Sequence, residues 1–240
     1  MKIGRNTFLR FASLPFLGLA GKKLAGMAGG GRRWAMAFDT TRCMKEEGCT
    51  RCVDACHLAH NVPKIADPKR EVKWIWKEPF RNVFRSEYAT TALESKQVLA
   101  MCNHCANPPC TRVCPTGATW KRADGIVMMD WHRCIGCRYC VAGCPYGARS
   151  FNWSDPRPNI HPVNPGFPTR TKGVVEKCSF CEERLAIGKL PLCVDACPEH
   201  ALVFGDLNDP GSEIHRLVRS RYGLRPRAEL GTDPSVFYVL

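Results

Sequence analysis

Sixteen cysteines in a chain of 240 residues constrain this sequence more than anything else in it. They fall into four quartets with none left over: Cys43, Cys49, Cys52 and Cys56; Cys102, Cys105, Cys110 and Cys114; Cys134, Cys137, Cys140 and Cys144; Cys178, Cys181, Cys193 and Cys197. A chain of this length can bury a core without disulfide staples, so thiols in this number need a chemical reason. Three quartets end on copies of one unit, Cys114-Pro-Thr-Gly-Ala118, Cys144-Pro-Tyr-Gly-Ala148 and Cys197-Pro-Glu-His-Ala201. A disulfide framework gives no reason for that repeat. A zinc-binding interaction module, the reading from another functional class, needs two Cys-x2-Cys knuckles per ion and would strand Cys110, Cys114, Cys140 and Cys144.

The run Cys134-x2-Cys137-x2-Cys140-x3-Cys144, followed by Pro145, has the spacing that holds cubane 4Fe–4S clusters. Three thiolates two residues apart on a looping backbone converge on three corners of one cube, with neighbouring amides turned toward the sulfurs. Gly136 and Gly143 let the backbone pass close. The fourth cysteine is expected to open a helix facing the other way and to reach a second cluster, with proline fixing the exit of the chain. The other quartets vary this theme. The second carries an enlarged turn, Ala106-Asn-Pro-Pro109, and the fourth a short helix over Glu182–Gly188 between Cys181 and Cys193. The first has an expanded opening, Cys43-Met-Lys-Glu-Glu-Gly-Cys49, and His57 in place of proline; a degenerate or three-iron site stays open there.

Because the fourth cysteine crosses over, quartets must work in pairs. The adjacent second and third pair with each other, and the first pairs with the fourth across them. The expected sites are therefore Cys102/Cys105/Cys110/Cys144, Cys134/Cys137/Cys140/Cys114, Cys43/Cys49/Cys52/Cys197 and Cys178/Cys181/Cys193/Cys56. All sixteen cysteines are the expected metal ligands of four 4Fe–4S clusters. His104, between two of them, is expected to hydrogen-bond a sulfur. His57 and His60 are expected at the surface or in packing, and Trp74, Trp76, Trp120, Trp131 and Trp153 in the core or an interface. No Ser/His/Asp constellation, phosphate loop or dinucleotide fingerprint marks a catalytic residue or a small-molecule substrate.

The formal charge of +13 suggests nucleic acid until it is divided. Seven of the 35 basic residues lie within the first 33 positions, and no acid precedes Asp39, leaving 28 against 22 beyond that point, a net +6. Four oxidised cubanes on thiolates add about −8, so the loaded remainder sits near neutral, and no basic run is interleaved with stacking aromatics. Residues 1–33 read as an export signal. A basic start leads into the apolar run Phe11-Ala-Ser-Leu-Pro-Phe-Leu-Gly-Leu-Ala20, too short to span a bilayer. Arg5-Asn-Thr-Phe-Leu-Arg10 resembles a twin-arginine signal with Asn6 at the second arginine; an amphipathic amino-terminal helix is the alternative. That route carries folded proteins, so clusters built in the reducing cytoplasm survive export. The expected location is the extracytoplasmic (periplasmic) face of the membrane, peripheral, since no later segment is long and apolar enough to cross it.

The expected fold class is α+β, two fused bacterial-ferredoxin-like modules with irregular inserts. The first module is split over 34–57 and 173–210; 58–95 is an insert; 96–152 is the second module; 153–172 is a proline-rich surface loop; 211–240 is a carboxy-terminal extension. Strands are expected at Ala35–Asp39, Val72–Trp76, Lys96–Ala100 and Val236–Leu240, a hairpin over Thr119–Met129 with its turn at Ala123-Asp124-Gly125, and short β runs at Arg149–Phe151 and Leu202–Phe204.

From Ala35 onward the sequence resembles the iron–sulfur subunits of the dimethyl sulfoxide reductase superfamily and its polysulfide, nitrite and formate relatives (the NrfC and PsrB type), with all four quartets in family order. The leader, the expanded first quartet, Asp155-Pro-Arg-Pro158 and Asn164-Pro-Gly-Phe-Pro-Thr-Arg-Thr-Lys-Gly173 are most similar to DsrO, the exported subunit type of the DsrMKJOP complex of sulfur metabolism. The resemblance implies a non-catalytic relay of single electrons through four 4Fe–4S clusters in a quinone-linked respiratory complex. It also implies an NrfD-like integral membrane quinone-interacting subunit and a multihaem cytochrome c as partners. The alternative is the electron-transfer subunit of a molybdopterin oxidoreductase, of polysulfide, tetrathionate or dimethyl sulfoxide reductase type, with a molybdopterin subunit alongside it.

Overall fold

The first strand among the described residues is buried on both faces, and the fold is organised around it. The computed structural model describes residues 31–84 and 91–240; the expected export segment lies outside the described residues except for 31–33. In chain order the strands are β1 (Trp34–Asp39), β2 (Ile75–Pro79), β3 (Gln97–Met101), β4 (Thr119–Lys121), β5 (Val127–Met129), β6 (Ser150–Phe151), β7 (Val175–Glu176), β8 (Leu202–Asp206), β9 (Gly223–Leu224) and β10 (Val236–Val239). The helices are α1 (Thr40–Cys43), α2 (Arg51–Ala59), α3 (Phe80–Val83), α4 (Thr91–Glu94), α5 (Pro109–Arg112), α6 (Tyr139–Ala142), α7 (Glu182–Leu185), α8 (Leu192–Asp195) and α9 (Glu213–Ser220). The class is mixed α and β, and most helices are single turns.

The main sheet has the order β8-β1-β10-β9, with β1 parallel to β10 and antiparallel to β8. Alternation along β1 sends Met36 and Phe38 into the large core, while Ala35 and Ala37 face a second cluster with Val203, Ile214, Phe237 and Val239. That second face is covered by α9, capped by Ser212, whose hydroxyl accepts from the His215 amide at 3.2 Å. Gly205 lets α9 lie close, since a Cβ there would stand 3.2 Å from Ile214 Cγ2. The segment expected as an extension is thus woven into the central sheet, with β10 paired to β1 in the same chain.

Three two-stranded ladders, β2–β3, β4–β5 and β6–β7, support the cysteine loops. The β4–β5 hairpin matches expectation, its turn closed by the Gly125 amide on the Arg122 carbonyl at 3.1 Å. The strand expected at Val72–Trp76 starts later, at Ile75, and pairs along Lys77 and Glu78 with β3. Val72 and Trp74 are buried, but Trp74 turns inward, where its indole donates to Glu176 at 2.9 Å, so it leaves the ladder. One core joins the segments: Met36, Phe38, Trp74, Leu99, Ile126, Phe180, Phe204 and Tyr238 belong to a single cluster, and Tyr238 donates to the Leu99 carbonyl at 2.6 Å. Residues 31–240 form one compact unit.

The proline-rich segment 153–172 runs over the surface but is anchored through Asn164 and Phe167 to Asn61 and through Arg170 to the core. Arg170 is completely buried and pairs with the equally buried Glu176 at 2.6 Å. It also donates to the carbonyls of His60, Asn61 and Pro168 and lies over the rings of Trp74, Trp131 and Phe167.

Candidate metal centres

Each quartet is built on the same local device. The residue just before the second cysteine is in the left-handed region in all four: Gly48 (φ 78°), His104 (φ 41°), Gly136 (φ 70°) and Phe180 (φ 57°). A left-handed residue in a tight loop turns successive amides to one side and makes a concavity suited to anions. The third residue after the fourth cysteine is left-handed too in Gly117, Gly147 and His200, and the amide of each bonds back to the carbonyl of Cys114, Cys144 or Cys197. The first quartet departs at this end, where α2 continues through Cys56 to Ala59.

The third cysteines Cys110, Cys140 and Cys193 sit inside the one-turn helices α5, α6 and α8. The fourth cysteines Cys114, Cys144 and Cys197 come just after those turns rather than opening a helix. The turn has to end there, because proline follows each of them and disfavours helical backbone in the residue before it.

The structure brings the sixteen thiols together in four groups. Cys102, Cys105, Cys110 and Cys144 line one cavity, and Cys114, Cys134, Cys137 and Cys140 line another. Cys52 is flanked by Cys43, Cys49 and Cys197. Cys56, one helical turn further along α2, is surrounded instead by Cys178, Cys181 and Cys193. In every group one cysteine comes from the partner quartet. We refer to the groups as A (Cys43, Cys49, Cys52, Cys197), B (Cys56, Cys178, Cys181, Cys193), C (Cys102, Cys105, Cys110, Cys144) and D (Cys114, Cys134, Cys137, Cys140). Residues of A and B adjoin through Cys52 and Cys193, those of B and C through Cys178 and Cys102, and those of C and D through Cys110 and Cys140. The order is A, B, C, D.

All sixteen are free thiols, and the donor set suits 4Fe–4S clusters. Backbone amides point at sulfur: Phe180 to Cys178 at 3.4 Å, Leu192 to Cys181 at 3.4 Å and Ala201 to Cys197 at 3.3 Å. Lys77 Nζ lies 3.1 Å from the Cys43 sulfur. Arg149 and Lys177 are 4% and 2% exposed, and among the described residues neither has a carboxylate partner. A buried unpaired cation is costly. Thiolates holding a cluster would supply the counter-charge: Arg149 donates to Cys110 Sγ at 3.1 Å, and Lys177 adjoins Cys102, Cys178 and Cys110.

In the metal-free chain burial dominates thiol acidity. It pushes Cys52 up to about 11 and Cys105 up to about 12, and moves Cys56, Cys178 and Cys193 upward as well. These thiols carry protons at neutral pH and must lose them to bind iron. Loading is therefore favoured as pH rises, so anaerobic reconstitution is expected to release protons in a pH-stat and to yield less holoprotein at pH 6.5 than at pH 8. Equal yields with no proton release would contradict this.

Gly136 shows how tightly a loop is built. A Cβ there would lie 2.3 Å from the Gly173 carbonyl oxygen and 3.1 Å from the Phe151 ring. Left-handed backbone alone costs an L-residue about 1–2 kcal/mol, and the clash adds to it. Gly136→Ala is expected to lose the iron of group D while groups A and B keep theirs, which iron counting with EPR checks.

One histidine differs from expectation. His104 is buried and stacked on Phe180, and its Nδ1 accepts from the Val127 amide at 3.1 Å rather than meeting a sulfur. Burial holds its pKa well below the usual value, helped by Lys177 and Arg149. His60 takes the packing place expected of it, buried against Trp74. Its Nε2 lies 3.0 Å from Glu183 and its Nδ1 3.6 Å from Cys56 Sγ. Burial opposes its charge, but Cys181 and Glu183 raise its pKa to about 9. His57 bonds the Ile75 carbonyl at 3.0 Å. Trp74 is buried, whereas Trp120 and Trp153 are exposed. Sequence reasoning passed over Lys77, Arg149, Arg170 and Lys177. The only signals for them were adjacency, Arg149 directly after a Cys-Pro-x-Gly-Ala unit and Lys177 directly before Cys178.

Four thiol groups in order within a ferredoxin-like α and β framework define a multi-cluster iron–sulfur electron carrier. Residues 95–159 and 133–202 each match a 4Fe–4S dicluster domain. The chain is 44% identical over 230 residues to the Hdr-like menaquinol oxidoreductase iron–sulfur subunit 1 of Archaeoglobus fulgidus, covering 87% of this chain and 83% of that one. It is 36% identical to a selenate reductase subunit of Mesobacillus selenatarsenatis (86% and 72% covered). It is 34% identical to the iron–sulfur cluster-binding subunit of menaquinone reductase of Nitratidesulfovibrio vulgaris (86% and 88%). The chain belongs to this family of iron–sulfur subunits, which also includes a dimethyl sulfoxide reductase iron–sulfur subunit and NrfC. It is an electron-transfer subunit carrying four 4Fe–4S clusters. Among the described residues no helix is long and apolar enough to cross a membrane.

Proposed function

We propose that groups A, B, C and D are the ligand sets of the four clusters, and that the chain relays single electrons along that order between a membrane quinone site and a second redox protein. The observation that carries this is the exchange of the fourth cysteine: Cys144 stands with the second quartet, Cys114 with the third, Cys197 with the first and Cys56 with the fourth. Two modules, 34–57 with 173–210 and 96–152, follow from that exchange, with 58–95 and 153–172 packed around them and 211–240 adding β9 and β10 to the central sheet. The left-handed residue Gly48 gives the expanded first quartet the same turn before its second cysteine as the others, which supports a full cubane there.

Each bound cluster supplies a one-electron carrier, with potentials tuned by hydrogen bonds to sulfur and by burial. The chain's own residues hold, order and insulate these carriers, and no bond-making step falls to them. The menaquinol oxidoreductase and menaquinone reductase subunits among its relatives support a membrane-bound, quinone-handling partner of NrfD type. With the leader in 1–33 they support an exported peripheral subunit of a DsrMKJOP-like complex of sulfur metabolism, with a multihaem cytochrome c. The selenate reductase relative favours a second reading, in which a molybdopterin subunit replaces the haem protein.

Anaerobic co-purification from solubilised membranes tests this. A polytopic membrane protein with a c-type haem protein is the expected company. A molybdopterin subunit in place of the haem protein would favour the second reading, and recovery of the loaded chain alone from the soluble fraction would contradict both.

A further inference from the structure

Arg149 and Lys177 occupy the two junctions that flank group C. The Arg149 guanidinium reaches Cys110 at 3.1 Å and Thr119 Oγ1 at 2.8 Å, with Cys102 and Cys140 also close, so it stands between C and D. The Lys177 ammonium donates to the Cys178 carbonyl at 2.8 Å and to the Val127 carbonyl, with Cys102 and Cys110 nearby, so it stands between B and C. Both are buried, and the groups beside them that can carry negative charge are cysteine sulfurs. The neighbouring buried acid, Glu176, is neutralised by Arg170.

At the matching positions of the repeat, buried cations stand only beside C; Lys77, 3.1 Å from Cys43 of A, is not fully buried and comes from β2, outside the repeat. Five residues after the four fourth cysteines stand Asn61, Thr119, Arg149 and Leu202, so only the copy that supplies Cys144 to C carries a cation. Just before the four first cysteines stand Arg42, Met101, Arg133 and Lys177; the side chains of Arg42 and Arg133 are 49% and 68% exposed, and only Lys177 is buried. A fixed positive charge held in a low-dielectric interior favours the more negative, reduced form of a neighbouring cluster.

We infer that Arg149 and Lys177 raise the reduction potential of the cluster at C above those of its neighbours, making it the electron well of the relay. The inference rests on the ligand sets proposed above. D shares Arg149 and B shares Lys177 at one side only, and A has neither. The step is one-electron and reversible: the reduced cluster gains one negative charge, and neither cation gives up a proton.

An EPR-monitored redox titration of the anaerobically purified holoprotein tests this. The signal of C is identified as the one altered in Cys105→Ser. In Arg149→Gln and in Lys177→Met, the ratio of reduced to oxidised C at the wild-type midpoint is expected to fall about tenfold, which is about 59 mV for one electron. D is expected to move less in the first variant, B less in the second, and A in neither. Arg149→Lys and Lys177→Arg, which keep the charge, are expected to restore most of the shift. Four intact signals with an unmoved C in both charge-removing variants would overturn the inference, as would equal shifts at A. If Arg149→Gln fails to load iron, Lys177→Met decides alone by the same criterion. Wild-type protein short of about sixteen irons would overturn the ligand sets instead, so the two failures are told apart.

Discussion

Replacing Cys56 with alanine is expected to remove the cluster shared with Cys178, Cys181 and Cys193, and to leave the one at Cys43, Cys49 and Cys52 in place. The reason lies in a single turn of α2. Cys52 and Cys56 are four residues apart on one helix and lie side by side on its buried face. Yet the first is flanked by Cys43, Cys49 and Cys197, and the second by Cys178, Cys181 and Cys193. The helix acts as a partition, presenting one thiol to each of two sites. Iron content is expected to fall by up to about four atoms per chain, four being the number in a cubane. The remaining EPR signals should match those left after Cys178→Ala. Loss of the cluster held by Cys43, Cys49 and Cys52 would mean that the exchange of fourth cysteines is misassigned.

The second large effect is expected far from any cysteine. Arg170→Met strips the charge partner from Glu176, which is completely buried and keeps only Trp74 at 2.9 Å and Asn152 at 2.5 Å as donors. Breaking a buried ion pair from one side costs about 3–5 kcal/mol. It also frees the carbonyls of His60, Asn61 and Pro168. In a chain of this size that corresponds to a fall of about 6–20 °C in the midpoint of thermal bleaching of the cluster absorbance. The double variant Arg170→Met with Glu176→Gln is expected to recover part of the loss, because no charge is then left buried. A single variant within about 2 °C of wild type would show that the pair does not hold the 153–172 segment to the core.

The sequence made the sites legible because iron–sulfur ligation is a local, repeated chemistry. Sixteen thiols in fours, a fixed spacing and a Cys-Pro-x-x-Ala ending were enough to propose groups that the fold then brings together, including the distant partnership of Cys56 with Cys178. Short strands beside the repeats were legible for the same reason, since Thr119, Ser150 and Leu202 each start one just past the repeated unit. What stayed hidden depends on burial, which a linear pattern does not display. Arg149, Arg170 and Lys177 look like surface cations in sequence and are interior ones in the fold. Val72-Lys-Trp-Ile-Trp76, β-branched and aromatic, reads as one strand, but Trp74 is drawn out of the ladder by Glu176, a residue 102 positions away. The carboxy-terminal 30 residues read as an extension because nothing local says that β10 lies parallel to β1.

Iron and acid-labile sulfide, counted per chain in anaerobically purified protein together with free thiols after denaturation, test the central claim most directly. Four cubanes predict about sixteen irons and as many sulfides, with all sixteen cysteines recovered as thiols once the iron is removed. A colourless preparation with zinc in place of iron, or one whose cysteines are recovered as disulfides, would contradict the account.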